Sequence, residues 1–337
     1  MRTISLLTAA IAAAVFLLPL PLRAAQAAAI SYDFTARPAN VPATFSAAPN
    51  ARVRFLTLTA IDGNRVDSAL WEPAGKPAAA TTMVIAVHGS GADYIDDPMT
   101  FLGRGLSARG YAMLAIDTRQ HDEKINTDNF YDIRNDIQAA VATARALGYK
   151  TIVLLGHSLG TIQVQYYAAQ DWSPDIKGVV LLSPFANLPW KSRNILIANE
   201  KQYGDLTDAA LKSVHDGTSK DVLPVKMGYL QGASSPVTGQ HFLTYRDETT
   251  GISDGTFWIK RIPRPLLLVR DQSDGIVLPF EHNMLLSAAG TPGSLVQSIK
   301  FVLIPDDRPP SLQGHKFTNN QQPLIDTVTA WLSDQHL

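Results

Sequence analysis

The sequence contains no cysteine. That absence excludes disulfides, thiolate metal sites, iron–sulfur ligation and a cysteine nucleophile. Charge is scarce as well: Asp, Glu, Lys and Arg make up 18% of the 337 residues, below the roughly 25% of an average globular chain. Neither sign dominates, with 29 Lys+Arg against 30 Asp+Glu and a formal net charge of −1. A nucleic-acid partner normally demands a strongly basic face, so none is expected. Hydrophobic residues reach an ordinary 46%, which argues against wholesale disorder. What is left is a globular protein whose chemistry comes from Ser, His, Asp or Glu side chains or from a cofactor.

Only the N-terminus carries a long apolar run. Arg2 supplies a positive n-region, Ile4 to Leu18 an apolar h-region, and Pro19 and Pro21 break it. The small-residue run from Ala24 to Ala29 offers an A-x-A cleavage site, best placed after Ala27. Residues 1–27 therefore read as a secretory signal peptide. The run is shorter than the ~20 residues of a spanning helix and is interrupted by proline, so no stable membrane span is expected after cleavage. The expected location is periplasmic or extracellular. A mature chain of about 310 residues buries enough core to stand without disulfides.

Residues 28–50, rich in Ala and Pro, read as an extended lead-in. Arg52–Thr59 and Val66–Trp71 alternate around Asp62-Gly63-Asn64, the pattern of a hairpin. The rhythm then changes to short, continuously apolar runs: Met83–Val87, Tyr111–Ile116, Thr151–Leu155, Gly178–Leu182, Pro265–Val269 and Ile299–Ile304. Such runs mark strands buried on both faces of a parallel sheet. Helical periodicity falls between most of them, at Phe130–Leu147, Thr161–Gln170 and Pro279–Ala289, and Pro323–Leu332 closes the chain. The expected fold class is α/β, a mostly parallel sheet with helices on both faces. About eighty residues between Leu182 and Pro265 lack any buried-strand signature. A structureless loop of that length would be anomalous, so residues 186–261 are expected to form a largely helical insertion, with residues 51–185 and 262–337 as the core.

One pentapeptide stands at the end of a strand and the start of a helix: Gly156-His157-Ser158-Leu159-Gly160. It fits G-x-S-x-G, in which a sharp strand-to-helix turn lifts a serine hydroxyl clear of the backbone. Flanking glycines remove side chains that would clash there. His88-Gly89-Ser90-Gly91 ends the strand Met83–Val87. Serine chemistry also needs a base and an acid that orients it, in the chain order Ser, acid, His. His315 is the only histidine between the last strand and the last helix. Asp274, followed by Gly275 and the apolar Ile276-Val277, suits a tight turn after a late strand, and Asp271 is its alternative.

From about Arg52 to Leu337 the chain resembles the α/β-hydrolase superfamily, specifically its serine esterase/lipase/aminopeptidase-like group of exported bacterial type. The resemblance rests on HGSG at His88, the segment Ala115–His121, GHSLG at Gly156, the Asp274 turn and the His315 loop, all in order. It implies the catalytic set Ser158, His315 and Asp274, with an oxyanion hole formed by the backbone N–H groups of Leu159 and Ser90. It also implies that the insertion is a cap over the site. Phe185, Trp190 and Trp258 are candidates to line the substrate pocket. The segment Asp117-Thr118-Arg119-Gln120-His121-Asp122-Glu123-Lys124 departs from the group's D-x-R-G-H-G-x-S by lacking its glycines, and Thr161 stands where glycine is common.

The expected function is hydrolysis of a small-molecule carboxylic ester through an acyl-enzyme, with no metal and no other cofactor. An amidase or aminopeptidase on the same residues is an alternative, for which Asp247 and Glu248 could hold a free amino terminus. A non-catalytic binding protein on this fold is the other.

Overall fold

The apolar runs assemble into a single sheet. The structure, a computed structural model, describes residues 29–43, 45–197, 199–229 and 232–337. The segment read as a signal peptide lies outside these residues. The first half of the chain forms β1 (Ser31–Thr35), β2 (Ala51–Thr59), β3 (Arg65–Pro73), β4 (Thr82–Val87), α1 (Met99–Ala108), β5 (Ala112–Ile116) and α2 (Ile133–Ala146). Next come β6 (Thr151–His157), α3 (Leu159–Ala168) and β7 (Ile176–Leu182). The long interval then holds α4 (Leu188–Lys191), α5 (Glu200–His215), β8 (Met227–Gly228), β9 (Ser234–Ser235), α6 (Gly239–His241) and α7 (Gly255–Ile259). The chain closes with β10 (Pro265–Asp271), α8 (Glu281–Ala289), β11 (Ser298–Ile304), α9 (Leu312–His315) and α10 (Gln321–Asp334).

Nine strands make the main sheet, in the order β1-β2-β3-β5-β4-β6-β7-β10-β11. The contiguous block from β5 to β11 is parallel, whereas β1, β2 and β3 pair antiparallel and β3 meets β5 antiparallel. Two cores result from the period of two along each strand. On one face Met83, Ile85, Leu114, Leu154 and Val179 pack with Ile137 and Val141 of α2 and Ile162 of α3. On the other, Val84, Ala86, Met113, Val153, Val180 and Leu267 pack with Leu102 and Leu106 of α1 and with Val328 and Trp331 of α10.

Three elements differ from the sequence reading. The lead-in contains β1, a mostly exposed edge strand paired to β2 from Ser31 opposite Thr59 to Thr35 opposite Phe55. Its alternation was short and carried little apolar weight, because an edge strand has little to bury. Helix α1 lies between β4 and β5, where Gly103 and Gly105 dilute the helical pattern; a Cβ on either would collide with Trp71 or Ile325. The long interval is mostly helical but includes the two-stranded β8–β9 ladder. It also has a small core of its own, built from Tyr203, Leu206, Ala210, Met227, Val237 and Phe242. Among the described residues, no helix is long and apolar enough to cross a membrane.

Candidate active site

Ser158 sits between β6 and α3 at φ 55°, ψ −122°, a conformation that costs a non-glycine residue energy and persists only where the surroundings enforce it. The enforcement is steric. A Cβ on Gly156 would lie 2.3 Å from the Gly160 carbonyl oxygen, and one on Gly160 would lie 2.4 Å from that of Val87. The turn can therefore tighten against the end of β4 only with glycine at both positions. The Ser158 N–H donates to the Leu182 carbonyl at 2.9 Å, and the Thr161 hydroxyl donates to the Ser158 carbonyl at 2.6 Å. Thr161 thus replaces the common glycine with a side chain that ties down the elbow.

His315, at the end of α9, brings Nε2 to 2.9 Å from Ser158 Oγ. Its Nδ1 lies 3.0 Å from Asp274 Oδ1 and 3.1 Å from Oδ2. The carboxylate accepts there, so Nδ1 carries the proton and Nε2 faces the serine hydroxyl as an acceptor. The main chain of His315 is held too: its carbonyl accepts from His157 Nε2 at 2.9 Å and from the Ser183 hydroxyl at 3.1 Å. Asp274 Oδ1 also accepts from the N–H groups of Ile276 at 2.8 Å and Val277 at 2.9 Å. Burial by itself would raise the Asp274 pKa. The His315 ring and the two N–H groups outweigh it and hold the carboxyl below the usual carboxylate range.

Asp271 ends β10 and faces elsewhere. Its carboxylate accepts from the Ser273 N–H and hydroxyl, both at 2.8 Å, and from Asn320 Nδ2 at 2.8 Å. Of the two aspartates, Asp274 is the one brought to His315.

The HGSG loop packs directly on the serine: a Cβ on Gly89 would lie 2.9 Å from Ser158 Cβ. His88 Nε2 accepts from the Thr118 N–H at 3.1 Å, so its proton is on Nδ1, which donates to the Gly89 carbonyl at 2.7 Å. Burial pushes this imidazole down to about 4, and it is neutral at pH 7. Ser90 and Leu159 line one cavity with Ser158. Among the described residues, neither backbone N–H is taken by a hydrogen bond.

That cavity is small, about 10 Å³, roughly the room one water needs. Of the three pocket candidates, Phe185 lines this cavity and Trp190 and Trp258 do not. Trp190 packs edge-on against Phe280, and Trp258 packs against Tyr166 while its Nε1 donates to the Ile252 carbonyl. Both serve as anchors of the long insertion on the core, the use that large amphipathic rings most often find. The cavity is instead closed by Leu188, Leu196, Tyr229 and Arg246. Sequence reasoning missed these four, since nothing in their local pattern sets them apart. Asp247 is buried and binds the Tyr203 hydroxyl and the N–H groups of Thr249 and Thr250. Glu248 pairs with Arg193 at the surface. Neither acid lines the cavity. Among the described residues, no group of three or more His, Asp or Glu side chains is placed to hold a metal ion.

Residues 82–305 match the family model described as the alpha/beta hydrolase fold. No curated protein matches the sequence. Among solved structures, the chain is similar to Est1E from Butyrivibrio proteoclasticus with bound ferulic acid, at 19% identity and a TM-score of 0.59 over 81% of this chain and 96% of that one. It is similar to the esterase domain of a Rhodothermus marinus protein at 19% identity and a TM-score of 0.54, over 83% and 98% of the two chains. For the siderophore hydrolase EstB from Aspergillus fumigatus the values are 14% and 0.60, over 80% and 94%. At such identities the likeness is one of fold.

Proposed function

Because the chain belongs to the alpha/beta hydrolase fold family, we propose that it is a serine hydrolase cleaving carboxylic esters through an acyl-enzyme. The observation that carries this reading is the continuous hydrogen-bonded line from Ser158 Oγ through His315 to Asp274, with links of 2.9 and 3.0 Å. Esterases among the structural neighbours support it. Ser158 Oγ attacks the ester carbonyl as His315 Nε2 takes its proton, and Asp274 stabilises the imidazolium that forms. The Leu159 and Ser90 N–H groups hold the oxyanion, helped by the positive end of α3. The intermediate collapses by breaking the bond to the alcohol, which leaves with the proton from His315. Water then attacks the acyl-enzyme by the same route in reverse, and the acid is released.

The segment between β7 and β10 acts in this reading as the cap over the site, and an ester enters by displacing its covering side chains. The N-terminal signal pattern supports a location outside the cytoplasm. Aminopeptidase activity would require an acid above the serine to hold a free amine. Asp247 and Glu248 are committed elsewhere, which favours the ester. Ser158→Ala is expected to lower hydrolysis of a p-nitrophenyl ester by roughly 10⁴-fold or more, with an unchanged circular dichroism spectrum. A fluorophosphonate probe should label wild type and not this variant; undiminished turnover in the variant would refute the assignment.

A further inference from the structure

The residue above Ser158 that the mechanism does not use is a buried cation. Arg246 is 2% exposed, lies in the helical turn 242–246 and lines the same cavity as Ser158, Ser90 and Leu159. Its only side-chain hydrogen bond among the described residues goes from Nη2 to the neutral Asn126 Oδ1 at 3.1 Å. Nε is buried with no acceptor. It forms no ion pair among the described residues, and the residues outside them include no Asp or Glu.

A buried guanidinium left without acceptors is costly, so the N–H groups of buried arginines are normally met by carboxylates or carbonyls. The other buried cations near the site have their acceptors: Lys191 pairs with Glu281, and Arg270, which has no ion pair among the described residues, gives Nε and Nη2 to the carbonyls of Val277 and Asp274. For Arg246 the adjacent Asp247 would be the natural partner, yet its carboxylate is turned to Tyr203 and the 249–250 turn. The neutral Asn126 orients the guanidinium and does not neutralise it. Asn126 itself is held in place: its Nδ2 donates to Ser235 Oγ at 2.9 Å and its carbonyl accepts from the Thr238 N–H at 3.1 Å. It comes from the loop after β5, the stretch that follows the departure from the family's glycine-bearing pattern.

We propose that Arg246 is an anion anchor, and that the substrate is an ester carrying a carboxylate close to its scissile carbonyl, such as the half-ester of a short dicarboxylic acid. The proposal rests on the esterase reading above and names its substrate class. A carboxylate fits better than a phosphate dianion, because Arg246 is the sole cation lining the cavity among the described residues. The incoming carboxylate supplies the acceptor that Nε lacks, and the fork of the guanidinium suits its two oxygens.

The test compares pairs of near-isosteric esters. Mono-4-nitrophenyl glutarate against 4-nitrophenyl pentanoate places the charge on the acyl side, and 4-acetoxybenzoate against 4-acetoxybenzamide places it on the alcohol side. Wild type should prefer the anionic member of one pair in kcat/KM by about 10- to 100-fold, the range of a charge-assisted hydrogen bond. Arg246→Gln should abolish that preference. Asn126→Asp, which keeps the arginine but supplies the missing carboxylate, should abolish it too, and serves if Arg246→Gln fails to fold. Equal or better turnover of both neutral esters by wild type, or a preference that survives both substitutions, overturns the proposal. If no ester is hydrolysed and the fluorophosphonate leaves Ser158 unlabelled, the esterase reading has failed. Glutarate titrated calorimetrically into wild type and Arg246→Gln then decides the anion site: binding lost in the variant upholds it, and no binding to wild type overturns it.

Discussion

Asp271 and Asp274 follow the same strand three positions apart, and the hydrogen bonds around them separate their tasks. Asp274 receives two backbone N–H groups on the oxygen that also meets His315, so it enters the site oriented and ionised. Asp271 spends its oxygens on Ser273 and Asn320. Asp274→Asn should therefore lower kcat by roughly 10³- to 10⁴-fold, because an amide that presents its N–H cannot accept from Nδ1 and favours the wrong tautomer. Asp271→Asn should cost about 1–3 kcal/mol of stability while turnover per active site is retained. Ester turnover normalised by active-site titration, alongside urea unfolding, separates the two. Turn chemistry made Asp274 legible from its own neighbours, Gly275 and Ile276-Val277, and it left Asp271 open only because spacing alone does not say which way a carboxylate faces.

Elements are joined across the site by a buried ion pair. Lys191 on α4 contacts Glu281 at the start of α8, with both side chains 2% exposed. Lys191 Nζ also donates to the Ile276 carbonyl at 2.7 Å, and Glu281 accepts from the N–H groups of Leu278 at 2.9 Å and Ala186 at 3.2 Å. The pair thus ties the first helix of the insertion to the loop that carries Asp274. Removing one partner leaves the other charged and buried, so Lys191→Met should destabilise by about 3–5 kcal/mol. Replacing both, as Lys191→Met with Glu281→Leu, should recover part of that loss in a double-mutant cycle read by urea midpoints. Helices α2 and α3 were legible because each shows one core-facing stripe or a continuous apolar face. Helix α1 was not, since its glycines serve close packing on Trp71 and Ile325, a demand that exists only once the sheet has formed.

At the scale of the whole molecule, burial of neutral imidazoles sets a pH response. The Thr118 N–H donates to His88 Nε2, a bond that a protonated ring could not accept. Burial holds His88 down to about 4 and His157 down to about 3, whereas an unfolded histidine titrates near 6.5. Between these values each of these two imidazoles binds more protons in the unfolded chain, so the stability they contribute is full above about pH 6.5 and is lost as pH falls toward 4. For His88 alone the loss is about 3 kcal/mol, at 1.36 kcal/mol per unit. His88→Asn should lower stability at pH 7 and make the acid limb shallower between pH 6.5 and 4. Urea midpoints measured across that range check the slope, and an unchanged slope would contradict the neutral, buried assignment.

The hairpin and the buried strands, the parallel sheet, the strand-to-helix turn and the candidates Ser158 and His315, with Asp274 favoured over Asp271, were written in the sequence itself. Each depends on local rules: the period of an apolar run, the glycines a sharp turn requires, and the order of turns after successive strands. The inner surface above Ser158 was decided by tertiary structure alone. Leu188, Leu196, Tyr229 and Arg246 come from separate turns of the insertion, and Asn126, which meets Arg246, from the loop after β5. Their meeting is a long-range property with no local period, so a lone arginine in the chain gave no sign of its burial. Only the fold shows that this charge lines the cavity of the serine with no acid paired to it among the described residues.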